Sequence, residues 1–172
     1  FFWTTLCDNY LEWAKARLYD GDSYEQEAAR TTLAIALAAT LKLFAPFLPH
    51  VTEAIYQAVF RAGSEQFESL HTSMWPDLPA AADDAAEQAG AAFVAIGAAV
   101  RRFKSERRLG LGTPLHHLGL AVDNTELHTA LARSEMDLRS LTRAATIDIT
   151  QCGDLEDGAE HLADGLAITI TP

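Results

Sequence analysis

The sequence predicts a mainly α-helical protein, in which an antiparallel helical bundle is followed by a small α+β unit. Apolar residues recur at spacings of three and four through residues 1–112, which is the period of a helix with one buried face. Prolines and glycines interrupt this pattern between the helical segments, as short connections do. After Pro114 the apolar residues alternate or form short runs, which is typical of strands. We therefore predict a bundle over residues 1–112 and a strand–helix–strand–strand appendage over 113–172.

Four helices are predicted in the bundle. The first covers "FFWTTLCDNYLEWAKARLY", and the second follows an N-cap at Ser23 and ends before the prolines of "FAPFLPH". The third begins near Val51 or Thr52 and extends to Gly63. The fourth is long, begins at Asp83 or Asp84 and ends at "GLGTP", where two glycines and a proline forbid continuation.

The appendage is predicted from shorter signals. "LHHLGLAV" and "ATIDIT" read as strands, and "TELHTALARSEMDLRSLTR" reads as a helix with its N-cap at Asn124 or Thr125. "CGDLEDGAEHLADG" is acidic and rich in glycine, so it is expected to be a loop or a hairpin connection. "LAITITP" is the final predicted strand.

Composition limits the class of protein. The chain has 172 residues, 49% of them apolar, which is ordinary for a globular domain, and its formal net charge is −11. That charge argues against a general nucleic-acid binder and against DNA as a partner. Cys7 and Cys152 lie far apart in the sequence and lack metal-ligand spacing, and this cysteine usage suits a protein of the reducing cytoplasm. Cys7 is expected to be buried. No segment reads as a signal peptide or a membrane span.

The opening "FFW" is apolar and lacks a methionine, whereas a native terminus is usually polar. We therefore expect the chain to be a fragment of a longer protein. An exposed apolar surface around these residues could let the isolated fragment self-associate.

Residue patterns for catalysis are missing. The sequence has no glycine-rich phosphate loop, no GxSxG, no HExxH and no CxxC. His116 and His117 would point to opposite faces of a strand and so could not easily share one metal ion. The acidic residues between 154 and 164 lack the spacing of an EF-hand loop. We expect no catalytic residue, metal or cofactor in this fragment.

The segment "RRFKSERRLGLGTP", residues 101–114, is the main functional candidate. Five of the chain's 13 basic residues lie between Arg101 and Arg108. Helical spacing places Arg101, Lys104 and Arg108 on one positive ridge, with Arg102 on its flank, while Val100 and Phe103 face the core. Two interpretations remain open: the charges complement the helix dipole and pair with Glu106 and other acids, or they contact a polyanion backbone.

Four stretches together resemble the anticodon-binding region of class I aminoacyl-tRNA synthetases, and most closely that of the archaeal-like valyl enzymes. They are "FFWTTLCDNYLEWAKARLY", "LKLFAPFLPHVTEAIYQ", "SLHTSMWP" and "VRRFKSERRLGLGTPL". Asn9 stands where those enzymes carry an aromatic residue. The resemblance covers essentially the whole chain, in order and spacing. The "HIGH" and "KMSKS" signatures of the catalytic domain are absent.

The resemblance implies that this region binds the anticodon stem and loop of a tRNA, within a parent enzyme that joins valine to its tRNA using ATP and magnesium. It implies a parent catalytic domain as a second partner, and no membrane. Trp75 would cover the bundle or stack on a base. The candidate tRNA contacts are Lys15, Arg17, Arg101, Arg102, Lys104, Arg107 and Arg108. The alternatives are the same region of an isoleucyl or leucyl enzyme, or a helical protein-interaction module that binds no RNA.

Overall fold

The computed structural model describes residues 2–61, 68–76, 83–151, 159–163 and 165–172. A π-helical segment, Phe2–Tyr10, leads into the first of six α-helices in these ranges. The helices are α1 (Leu11–Asp20), α2 (Ser23–Phe44), α3 (Pro49–Val59), α4 (Asp84–Glu106), α5 (Thr125–Arg133) and α6 (Glu135–Thr142). The strands are β1 (Leu115–Val122), β2 (Ala144–Gln151), β3 (Glu160–Ala163) and β4 (Leu166–Thr171).

The described chain is therefore mainly helical with a small sheet, as the sequence predicts. Asp83 caps α4 by accepting hydrogen bonds from the backbone N–H groups of Ala85 and Ala86, each at 3.1 Å. Asn124 caps α5 in the same way. The third helix begins two or three residues before the predicted start, at Pro49, because proline suits the first helical position, and it ends at Val59 instead of Gly63.

Contacts divide the chain into two compact units: Phe1–Asp22 with Ala82–Pro172, and Ser23–Ala81. The predicted boundary between residues 112 and 113 falls inside the first of these. As a domain limit that boundary stays a prediction, and so does the antiparallel arrangement of the bundle helices.

The described part of the Ser23–Ala81 unit contains α2, α3 and a 3₁₀ turn at Leu70–Thr72. Its core cluster contains Leu41, Ala45, Tyr56 and Leu70. Glu53 joins α3 to the turn, because its carboxylate accepts hydrogen bonds from the backbone N–H of Leu70 at 2.9 Å and from the Ser69 hydroxyl at 3.0 Å. Glu53 therefore holds the turn against α3.

The other unit contains the sheet, in the order β2–β1–β4–β3. β1 pairs in parallel with β2 and antiparallel with β4, and β3 pairs antiparallel with β4. A parallel pair requires a crossover connection, and here α5 and α6 provide it. The predicted single helix over 125–143 is divided at Ser134, where α5 ends and α6 begins.

α4 packs on this sheet together with α5 and α6. Ile96 and Val100 of α4 are fully buried with Leu118 and Leu120 of β1. Trp13 of α1 lies against Phe93 of α4 with ring centroids 4.9 Å apart and is partly buried against this core. The helix that carries the basic segment is therefore anchored to the α+β core.

One expectation for the appendage is wrong, and another concerns residues outside the described ranges. β3 occupies part of the segment that was predicted as a loop or hairpin connection. Its backbone pairs with β4, and this pairing outweighs the weak local preference of the acidic, glycine-rich sequence for a loop. Residues 152–158 and 164, which include Cys152 and most of the acidic cluster, lie outside the described residues.

Cys7 is a free thiol and is half-buried instead of buried.

Candidate nucleic-acid interface

α4 ends in a left-handed turn that displays two arginines. The Leu109 N–H donates to the Lys104 carbonyl at 2.8 Å, and the Arg108 N–H donates to the Ser105 carbonyl at 3.0 Å. This is the Schellman pattern, in which glycine usually occupies the left-handed position. Here Arg108 occupies it, with φ of 56°. The helix thus ends at Glu106, before the glycines that were predicted to stop it.

Arg107 and Arg108 are both exposed. The Arg107 guanidinium carbon lies 3.7 Å from the centre of the Phe103 ring, a cation–π contact that leaves its charge uncompensated. Within the described part of the chain, neither arginine forms an ion pair. The predicted pairing with Glu106 is not present there either.

The prediction that Lys104 lies on an exposed ridge is wrong. Lys104 is only 2% exposed, and its ammonium donates to the Leu111 carbonyl at 3.0 Å and the Thr142 carbonyl at 3.1 Å. Burial lowers the pKa of Lys104, and the positive charge of Arg143 lowers it further. A long lysine can reach carbonyls on two other segments, which helical spacing does not reveal.

Arg101 is half-buried and held in place by neutral groups. Its guanidinium donates to the Asn9 side-chain oxygen at 3.0 Å and to the Asp8 carbonyl at 3.2 Å. Asn9 is 1% exposed and also donates to the Thr4 carbonyl. The polar residue that replaces an aromatic one in the resembled enzymes is therefore the partner that orients Arg101.

The remaining sequence candidates are paired with acids. Lys15 lies 2.7 Å from Glu12, and Arg102 pairs with Glu160. The Arg17 Nε donates to both oxygens of Asp137 on α6, at 2.8 and 2.9 Å, and Asp137 is 5% exposed.

Sequence reasoning missed Arg143, which follows α6. It is exposed, has a φ of 61° and forms no ion pair within the described ranges. Arg101, Lys104 and Arg143 line one cavity of about 430 Å³. The only signal in the sequence is an arginine directly before a strand, which is too common to single it out.

Trp75, in the other unit, is 66% exposed, which contradicts its predicted role as a cover for the bundle and leaves the stacking interpretation. Trp3 is 71% exposed, in keeping with an apolar surface near the start of the chain. Among the described residues, no group of three His, Cys, Asp or Glu side chains could hold a metal ion. None of the described helices is long and apolar enough to cross a membrane.

Residues 1–118 match the family described as the anticodon-binding domain of tRNA ligase. This match includes α4 and its arginine-bearing end, and the chain belongs to that family.

Similar proteins are valine–tRNA ligases. The chain is 38% identical over 144 residues to that of Methanothrix thermoacetophila, covering 84% of this chain and 15% of the relative. It is 42% identical over 118 residues to that of Haloarcula marismortui, covering 69% and 12%. The Rickettsia akari enzyme is 34% identical over 157 residues, covering 90% and 18%. The chain thus spans less than a fifth of the length of these relatives.

Proposed function

We propose that the chain is the tRNA-binding portion of a cytoplasmic valine–tRNA ligase and contacts the anticodon stem and loop. The observation that carries this proposal is the family match over residues 1–118, which includes the uncompensated arginines at the end of α4. The similarity to valine–tRNA ligases supports valine as the parent's amino acid over isoleucine or leucine. The parent would use ATP and magnesium in a catalytic domain outside this fragment.

Arg107 and Arg108 are the proposed phosphate contacts. Both are exposed, adjacent and free of acidic partners within the described residues, so their charge is available to an RNA backbone. A guanidinium can donate two parallel hydrogen bonds to a phosphate. Arg101 is proposed as a third contact, since only neutral oxygens hold it.

Four of the sequence candidates receive other roles in this proposal. Lys15, Arg17 and Arg102 already pair with carboxylates, and Lys104 binds backbone carbonyls. An RNA phosphate would have to displace those partners, which offsets the gain. These residues stabilise the surface that presents the arginines, while base identity is read by other side chains and by shape.

The test is a salt series of tRNA binding. The 172-residue chain and its Arg107→Gln/Arg108→Gln variant are titrated with a valine tRNA transcript, and affinity is followed by filter binding or fluorescence anisotropy. Each lost phosphate contact removes about 0.7–0.9 from the slope of log K against log salt, so the double variant should lose about 1.4–1.8.

The matched control is Arg30→Gln/Arg133→Gln, which removes the same charge from exposed positions outside the basic segment 101–114. It should change the slope far less. Equal losses in the two double variants would mean that only net charge matters. Absence of tRNA binding at low salt would overturn the proposal and favour the protein-interaction module. Tighter binding of an isoleucine tRNA than of the valine tRNA would favour the isoleucyl alternative.

A further inference from the structure

A cavity of about 430 Å³ lies where α4, α6 and the π-helical segment meet. Small-molecule pockets are typically roughly 300–1,000 Å³, so the cavity is large enough for a ligand. Its lining combines cationic side chains with an apolar wall formed by Val100, Leu111 and Leu141. Leu111 is 67% exposed, so this large apolar side chain remains outside the core.

The cations of this cavity have no acidic partner in the part of the chain that the structure describes. Arg101 and Lys104 bind only carbonyl or amide oxygens, and Arg143 has no side-chain partner within the described ranges. The depressed pKa of Lys104, caused by burial and then by Arg143, agrees with a positive local field.

Two acids also line the cavity, Asp8 and Glu12, but Glu12 is paired with Lys15 at 2.7 Å. Three cations therefore face one unpaired acid, in a protein of net charge −11. Because a buried charge is costly without a partner, these cations favour an anionic ligand in the cavity.

We propose that this cavity binds a single nucleotide unit, with its phosphate beside Arg101 and Arg143 and its base against Leu111 and Leu141. Arginine recognises phosphate through two parallel hydrogen bonds, and a base has an apolar face that packs on such a wall. The nucleotide could be free or belong to an RNA strand, and both have this chemistry. The inference does not depend on the proposed function.

Cys7 provides a direct probe, because it lines the same cavity and is half-buried. The chain has two cysteines, so a Cys152→Ser background leaves Cys7 as the only thiol. The rate of Cys7 alkylation by iodoacetamide is measured with rising AMP, CMP, GMP or UMP, and with adenosine and inorganic phosphate as partial ligands. Calorimetric titration of the unmodified chain with the same nucleotides gives a second, label-free measurement.

Mononucleotides should slow alkylation in a saturable way and more effectively than adenosine or phosphate alone. Arg143→Gln should raise the half-protecting concentration by about 10-fold, the effect expected from one charge-assisted contact. Arg133→Gln, which removes an exposed arginine at the end of α5 and outside the cavity, should leave it unchanged.

Valine tRNA is the second arm. Protection by both tRNA and free nucleotide places an RNA nucleotide in the cavity, whereas protection by free nucleotide alone identifies a small-molecule site. If no nucleotide protects Cys7 or gives heat, and bound tRNA leaves Cys7 fully reactive, the cavity proposal is overturned while the proposed function stands. If inorganic phosphate protects Cys7 as well as the nucleotides do, the cavity binds anions without recognising the base, and the nucleotide proposal is overturned.

Discussion

Replacing Gly97 by alanine should test the contact that orients Arg101, with Gly90→Ala as the matched control. Both glycines lie inside α4, where alanine is favoured by about 0.5–1 kcal/mol. A Cβ at Gly90 would meet nothing within 4 Å, so Gly90→Ala should show the full gain in the free energy of unfolding.

A Cβ at Gly97 would meet the cluster around Asn9. It would lie 3.0 Å from the Asn9 side-chain oxygen, 3.2 Å from the Leu141 Cδ1 and 3.3 Å from the Arg101 Nη1. Overpacking of this kind costs about 1–3 kcal/mol. Since the helix-propensity gain is common to both variants, their difference isolates this steric cost. Gly97→Ala should therefore be less stable than Gly90→Ala by about 1–3 kcal/mol.

The assay is thermal unfolding followed by circular dichroism, supported by urea titrations. For a chain of this size about 1 kcal/mol corresponds to roughly 2–4 °C in Tm, so the two variants should differ by roughly 2–12 °C. If Gly97→Ala is as stable as Gly90→Ala, the close packing of Asn9 and Arg101 against α4 is refuted.

Three further substitutions have defined outcomes. Arg108→Gly should raise the unfolding free energy by about 0.5–1 kcal/mol, because glycine suits the left-handed position, yet weaken tRNA binding; calorimetry and filter binding would check the two effects. Lys104→Met should cost about 1–3 kcal/mol by leaving two carbonyls without their donor. Because the folded pKa of Lys104 lies below its ordinary 10.5, the folded state binds fewer protons than the unfolded state between those two pKa values, and the stability of the wild type should rise with pH there. Urea titrations at several alkaline pH values should therefore show that the difference in unfolding free energy between the wild type and Lys104→Met widens with pH. A constant difference would contradict this. Burial raises the pKa of Glu53, but hydrogen bonds from Gln57, Ser69 and the Leu70 N–H outweigh this effect and hold the pKa below 4.5. The ionised carboxylate therefore stabilises the fold above that pH, and the stabilisation is lost as pH falls through the folded pKa. The difference in Tm between the wild type and Glu53→Gln should close in acid, and a difference that persists at about pH 2 would contradict this.

Local signals predicted the starts of α4 and α5. The caps at Asp83 and Asn124 depend on one short polar side chain and the two or three residues after it, all of which are visible in the sequence. The strand positions of β1 and β4 followed in the same way from short apolar runs.

Long-range partners account for what the sequence could not predict. Lys104 has the spacing of a surface residue, but carbonyls at Leu111 and Thr142 withdraw it from solvent. Arg17 has Glu12 within helical reach, yet it binds Asp137, 120 residues away in sequence. The parallel pairing of β1 with β2 likewise depends on how α5 and α6 cross between them.

The structure changes the balance between the two interpretations of the basic segment. If its charges served the helix end, their side chains would be expected to satisfy the last carbonyls of α4. Three of the last four carbonyls already have backbone donors, since the N–H groups of Arg107, Leu109 and Arg108 donate to the carbonyls at positions 103, 104 and 105. The two exposed guanidiniums are thus not needed as caps, and Arg108 even occupies a left-handed position where glycine would be less strained. Within the described fold Arg108 forms no ion pair, so its charge gains there only the dipole interaction of about 0.3–1 kcal/mol, which the strain of its left-handed position offsets; this balance supports the anionic partner proposed above.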